Sequence, residues 1–304
     1  MSTATQPLRL KTALMTYPHT RALKSGELKD PAVELVFEDV EPIHRAFAPM
    51  ARKQAFDVSE LAIVTYLQAK AYGKPVVLLP AVVAARFQQK CIIYNAQHGR
   101  LSVDDLEGKR IGVRAYSQTT GMWVRAILAQ TYGVPIDRIE WITFEGSHLE
   151  EYREPAFVRR AQPGESLLPM LRAGELDAAI LGNDLPDEEG LVPLIEDAVA
   201  ADRAWYGIHE YVPVNHVVVV TKALAEQHPE AVRAVYDLLL RGKQSVAHEH
   251  DASKPDPLLF GIDALRGPLE ETLAFCESQQ LLPRKLSVDE IFADCLDILG
   301  DAAR

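Results

Sequence analysis

Two histidines stand where a chain of alternating strands and helices can expose proton chemistry. His19 follows the strand-like run 8–17 across Tyr17-Pro18, and His216 opens the strongly apolar run VNHVVVVT at 214–221. Histidine takes up or releases a proton near neutral pH, so the pair could act as general base and general acid. A lone histidine is usually a structural hydrogen-bonder; two at strand ends that face one crevice are better suited to proton transfer. A second set of residues suits an anion. Ser117, Thr119 and Thr120 lie in a polar turn between the strand RIGVR and a helix, where free backbone N–H groups and the helix dipole attract negative charge. Simple N-capping explains such a turn equally well. Arg114 ends that strand, Arg125 lies further along the helix and Arg86 follows an earlier strand; a guanidinium grips a carboxylate with two parallel hydrogen bonds. Asn183, just after the run 177–181, occupies a matching rim position.

Other chemistries lack their residues. There is no P-loop, dinucleotide fingerprint or GxSxG motif, and no cofactor is expected. His248-Glu249-His250-Asp251 has the wrong spacing for an HExxH zinc site, so no metal is expected. The three cysteines, Cys91, Cys276 and Cys295, form no CxxC and read as buried apolar fillers. His44 and His148 are weaker proton-transfer candidates, and the charged stretch 150–153 could reach a ligand's polar groups or simply be solvated.

Stepping along the chain, the positioning elements alternate. Strands are expected at 8–17, 33–40, 76–79, 90–95, 110–114, 139–143, 177–181 and 214–221, with a further apolar element within 58–72 and a helix or turn opened by Tyr17-Pro18-His19-Thr20. Helices are expected at 43–54, 121–132, 166–174, 222–228, 229–249, 267–280 and 287–299, on apolar spacing and caps. Such alternation predicts open α/β sheets whose ligands lie at the carboxyl ends of strands. The 304 residues suggest two domains. Lobe I is assigned to 1–95 and 206–304, lobe II to 96–205, with the ligand cleft between the lobes.

Charge narrows the partner. Residues 1–160 carry 21 Lys/Arg and 17 Asp/Glu, residues 161–304 carry 11 and 26, and the chain totals −11. No dense basic face for nucleic acid follows from that, and cations for a small anion belong in the first half. No run of about 18 apolar residues predicts a membrane span. MSTATQPLRLKTALMTY lacks an apolar signal core, so a cytoplasmic location is expected. A homo-oligomer is compatible with the sequence.

Five segments carry a resemblance. Asp105-Leu106-Glu107-Gly108-Lys109-Arg110-Ile111-Gly112-Val113, followed by Ser117-Gln118-Thr119-Thr120, resembles the second-lobe opening of type II periplasmic binding proteins, and RAGELDAAI at 172–180 agrees. The run RAYSQTTGMWVR at 114–125, with Pro213-Val214-Asn215-His216 and the stretch 79–87, is similar to the 4,5-dihydroxyphthalate decarboxylases. Gln88-Gln89 departs from the more basic character expected there. The resemblance implies a two-lobed α/β fold and a carboxy-lyase of phthalate degradation, needing no cofactor and acting on a small anionic aromatic acid. His19 and His216 would then be the acid–base pair, with Arg86, Arg114, Ser117, Thr119, Thr120, Arg125 and Asn183 binding the substrate. A non-catalytic aromatic-acid solute-binding protein, and an enzyme like chorismate dehydratase on the same fold, are the rival readings.

Overall fold

The computed structural model describes residues 6–182, 185–251 and 253–304. The chain forms two compact units. Unit 1 comprises Met1–Ala85, Val214–Leu273 and Pro283–Arg304; unit 2 comprises Arg86–Pro213 and Ala274–Leu282. Residues 86–95, 206–213 and 274–282, expected in lobe I, therefore group with the second unit. The causes are local. The strand at 92–95 pairs inside the second sheet, Tyr211 packs on Trp123, and Gln279 bonds to Arg125.

In chain order, unit 1 begins with β1 (Leu8–Ala13), α1 (Pro18–Lys24), β2 (Val33–Phe37), α2 (Phe47–Lys53), β3 (Val58–Ala62), α3 (Ile63–Ala71) and β4 (Val76–Ala85). Unit 2 supplies β5 (Ile92–Asn95), β6 (Arg110–Val113), α4 (Thr119–Tyr132), β7 (Glu140–Thr143), β8 (Val158–Arg160), α5 (Leu167–Arg172), β9 (Ala178–Ile180), β10 (Leu191–Pro193) and α6 (Ala198–His209). The chain then returns with β11 (Val214–Thr221), α7 (Lys222–Gln227), α8 (Pro229–Ser245), α9 (Ile262–Ser278) and α10 (Val288–Leu299).

The unit 1 sheet has the order β2-β1-β3-β11-β4. β2, β1 and β3 run parallel, while β11 runs antiparallel to both of its neighbours. From Val217 to Thr221 β11 is an unbroken β-branched run, as befits a central and almost wholly buried strand. Being antiparallel, it brings its amino end to the carboxyl end of β3, with His216 opposite Ala62. That places His216 on the edge from which the β1–α1 loop emerges. β4 is interrupted: its register against β11 slips between His216 and Val218, and Pro80 and Ala81 fall in the gap. Proline cannot donate to a ladder and is tolerated at such a bulge. Instead Pro80 O accepts from Gly261 N and Val82 N donates to Leu259 O, so the segment before α9 fills the missing bonds.

The unit 2 sheet has the order β10-β5-β9-β6-β7-β8, parallel from β9 to β8 and antiparallel at β5 and β10. Ile93, Ile142, Met170, Leu171, Leu176 and Ala179 form a buried cluster on it. α4 lies close to β6: a Cβ added to Gly121 would stand 3.0 Å from Val113 Cγ2 and 3.2 Å from Arg125 Nη1. Among the described residues, no helix is long and apolar enough to cross a membrane.

Candidate functional site

In unit 1 the sequence builds a network around an acid that is not among the candidates expected from sequence. Glu60 sits in β3, in the run VSELAIV where Ser59 is the other polar residue, and is fully buried. Its Oε1 accepts hydrogen bonds from the Tyr17 hydroxyl at 2.6 Å and from His216 Nδ1 at 2.6 Å, and its Oε2 accepts from Met15 N at 3.0 Å. Burial alone would raise the Glu60 pKa. The hydrogen bond and charge of His216, then the Tyr17 and Met15 donors, outweigh it and hold the carboxyl below its usual range. The signal available in sequence was the lone charge inside an apolar strand, which is tolerated only when it is paired.

His216 is less enclosed, with 23% of its side chain exposed. The Phe47 ring meets it edge-on at 5.0 Å. The register slip in β4 falls beside it; bulges often re-aim a side chain at a site. His19 lies in the first turn of α1, which Pro18 opens at the position where proline suits a helix. Thr20 anchors this turn by accepting from Tyr17 N at 2.8 Å and donating to Met15 O at 2.7 Å. Tyr17 stacks on His19 with ring centroids 5.2 Å apart and planes within 4°. His19 is buried, bonds to the Val83 backbone, and leaves Nε2 with no hydrogen-bond partner among the described residues. Burial lowers its pKa, with Lys243 acting the same way and Glu60 and Asp256 opposing. The two histidines proposed from sequence thus share one network, linked through Tyr17 and Glu60.

In unit 2 the anion-binding candidates gather at the carboxyl end of β6. Ser117, Thr119 and Thr120 are buried at the start of α4, whose N-cap residue Gln118 makes no side-chain capping bond. Arg86 Nη2 donates to Thr120 Oγ1 at 2.9 Å, and Ser117 Oγ donates to Ser147 Oγ at 3.1 Å. Arg114 is partly buried, and its Nε stands 3.7 Å from Glu145 Oε2. A cavity of about 310 Å³ lies beyond β7, lined by residues that include Ser147, Tyr152, Arg153, Glu154 and Arg160. Arg86 and Thr120 are therefore brought together, while Arg114 has a carboxylate of its own.

Arg125 departs from the expectation that it binds substrate. It is 0% exposed, donates from Nε to Gln279 Oε1 at 2.8 Å and from Nη2 to Tyr116 O at 2.6 Å, and stacks 3.9 Å from the Tyr116 ring centroid. Its helical position turns the guanidinium into the core of unit 2, where it ties in the 274–282 segment. Asn183 lies outside the described residues. Among the described residues, no group of three or more His, Cys, Asp or Glu could hold a metal ion.

The two sheets, with their crossing chain, define an α/β protein of the type II periplasmic-binding-protein fold. Solved structures agree. The alkanesulfonate-binding protein SsuA of Xanthomonas axonopodis pv. citri, bound to MOPS, matches with a TM-score of 0.55 at 15% identity over 95% of this chain and 99% of its own. The desulfurization enzyme DszB matches with a TM-score of 0.58 at 15% identity over 95% and 99%. No family model matches the chain. A 4,5-dihydroxyphthalate decarboxylase of Comamonas testosteroni is 32% identical over 297 residues, covering 92% of this chain and 84% of the relative. One from Pseudomonas putida is 34% identical over 184 residues, covering 57% and 70%. The chain belongs to the 4,5-dihydroxyphthalate decarboxylase family, and that membership supports a decarboxylase role.

Proposed function

We propose that this chain decarboxylates 4,5-dihydroxyphthalate, or a close analogue, to protocatechuate and carbon dioxide in phthalate degradation. The observation that carries the reading is the shared network of His19 and His216, which supplies two imidazoles for one reaction. In this substrate each carboxylate has a hydroxyl para to it, so electrons can flow through the ring without a cofactor. A base removes the phenolic proton, and the oxygen's electron pair moves into the ring toward the carboxyl-bearing carbon. A general acid delivers a proton there, forming the new C–H bond. The C–C bond to the carboxylate then breaks, carbon dioxide leaves, and the electron pair restores the aromatic ring. The base finally returns its proton to the phenolate oxygen. The net change is one proton taken up and one carboxylate lost as carbon dioxide.

Arg86, Thr120, Arg114, Ser117 and Thr119 are assigned to the carboxylate that is retained, because buried hydroxyls beside a guanidinium are charge-assisted donors of the right length. A solute-binding role would need the same anion seat but no acid–base pair. Purified protein incubated with 4,5-dihydroxyphthalate should release carbon dioxide and protocatechuate. His216→Ala should lower kcat by roughly 10²–10⁴-fold, the usual worth of positioned acid–base assistance. Undiminished turnover in that variant would remove His216 from the mechanism, and binding without carbon dioxide release from the wild type would leave a binding protein.

A further inference from the structure

We infer that Glu60 is a positioning residue that divides the proton work between the two histidines, making His216 the donor through Nε2 and leaving His19 as the neutral acceptor. This rests on the decarboxylase reading above. The hydrogen bonds at one carboxylate fix where the protons lie. An ionised carboxylate only accepts. Its Oε1 lies 2.6 Å from His216 Nδ1, so that nitrogen must carry a proton. The ring can then exchange protons only at Nε2. When Nε2 is protonated the ring bears a positive charge, and the buried Glu60 carboxylate lies against it to offset that charge. His19 has no carboxylate in hydrogen-bond contact. Its bond to the Val83 backbone and its unpartnered Nε2 give it the opposite arrangement, a proton on one nitrogen and a lone pair on the other. Burial lowers its pKa, and of the charged groups that act on it Lys243 adds to this while Glu60 and Asp256 oppose it. In the reaction His19 takes the phenolic proton, His216 gives a proton to the ring carbon, and His19 returns its proton at the end. His216 alone is then reprotonated from water.

The network also determines what an amide would do in place of Glu60. Oε2 receives Met15 N–H at 3.0 Å, so the amide NH₂ of a glutamine would face another donor there. The amide must therefore turn its NH₂ to the Oε1 position. There the Tyr17 hydroxyl can rotate to accept, but His216 can accept at Nδ1 only by moving its proton to Nε2. Glu60→Gln should thus switch the neutral tautomer of His216 with little change of shape. A carboxylate-to-amide change behind a catalytic histidine lowers kcat by ~10⁴-fold in serine proteases, where the histidine is a base; here the loss arises because no carboxylate remains to offset the imidazolium from which Nε2 donates, and a neutral ring is a far weaker acid.

The test has two arms. Nitrogen-15 NMR of the histidine side chains, without substrate, should find His216 protonated at Nδ1 in the wild type, and His19 neutral with Nε2 unprotonated at pH 7. In Glu60→Gln the His216 proton should appear at Nε2. With 4,5-dihydroxyphthalate, Glu60→Gln should lose roughly 10²–10⁴-fold in kcat with KM within about threefold. A wild-type His216 with Nδ1 unprotonated, or a His19 imidazolium at pH 7, overturns the inference even if the variant fails to fold. A switched tautomer with kcat retained overturns it as well. If the wild type releases no carbon dioxide, the decarboxylase reading fails, and the NMR arm still decides the arrangement of protons.

Discussion

Arg86 Nη2 and Thr120 Oγ1 are 2.9 Å apart, so the cation is already aimed along the start of α4. A carboxylate arriving there would meet a charge-assisted donor and a hydroxyl together. Replacing Arg86 by Gln keeps much of the side chain's length and a donor, but removes the charge and the fork. KM for the aromatic acid should rise about tenfold or more, corresponding to ~1.4 kcal/mol or more, with a smaller change in kcat. Steady-state kinetics on the purified variant would check this, and an unchanged KM would free Arg86 from substrate binding. At this scale the sequence makes His19, His216, Arg86 and Thr120 visible as candidates, because strand-end histidines and a Ser/Thr turn carry local signals. It was not readable for Glu60, whose role depends on two partners 43 and 156 residues away. Nor did it separate Arg125 from Arg86. Both are arginines near the same turn, and only packing decides that one guanidinium lies under Tyr116.

Elements position these side chains through close approaches that single residues control. A Cβ added to Gly242 of α8 would stand 2.4 Å from the carbonyl oxygen of His19. Alanine is ordinarily the better helix former by about 1 kcal/mol, but here it must push α1 away from α8, and the obstructing atom is backbone. Gly242→Ala should therefore destabilise by about 1–3 kcal/mol, the usual range for overpacking, and lower kcat by displacing His19. Thermal denaturation beside a kinetic assay would measure both, and a more stable variant would contradict the packing argument. Most elements were legible from periodicity. β8, β10 and α6 were not expected. β8 and β10 are three-residue strands at the two sheet edges, too short to show alternation. α6 is at most partly buried except at Trp205, so it has no continuous apolar stripe to read. β4 was read as a short strand because Pro80 interrupts it; the strand continues beyond the bulge.

For the molecule as a whole, the chain path matters as much as the site. The Arg125 guanidinium bonds to Gln279, and Gln279 Nε2 donates to Met122 O at 3.0 Å, so α4 holds the 274–282 segment by two buried hydrogen bonds. Arg125→Met removes a buried charge but leaves Gln279 Oε1 and Tyr116 O without a donor, each costing about 1–3 kcal/mol. Some of that loss returns, because a charge no longer has to be buried. The variant should melt earlier, with KM for the aromatic acid within about twofold of wild type. A large rise in KM at unchanged stability would return Arg125 to the ligand. The net charge of −11 is concentrated in residues 161–304, which leaves the cationic candidates in the first half, as the composition suggested.

The sheet order β2-β1-β3-β11-β4 has a bearing on how the molecule is made. β3 and β4 are synthesised within the first 85 residues, yet the strand that must lie between them begins only at Val214. A nascent chain emerging from the ribosome therefore holds two apolar strands without their shared partner until more than a hundred further residues have been added. Glu60 waits through the same interval for His216, with its charge unmatched by the imidazole. Domain-by-domain folding from the N-terminus is closed to this topology. The second sheet, whose strands are all complete by residue 193, is the one free to assemble first.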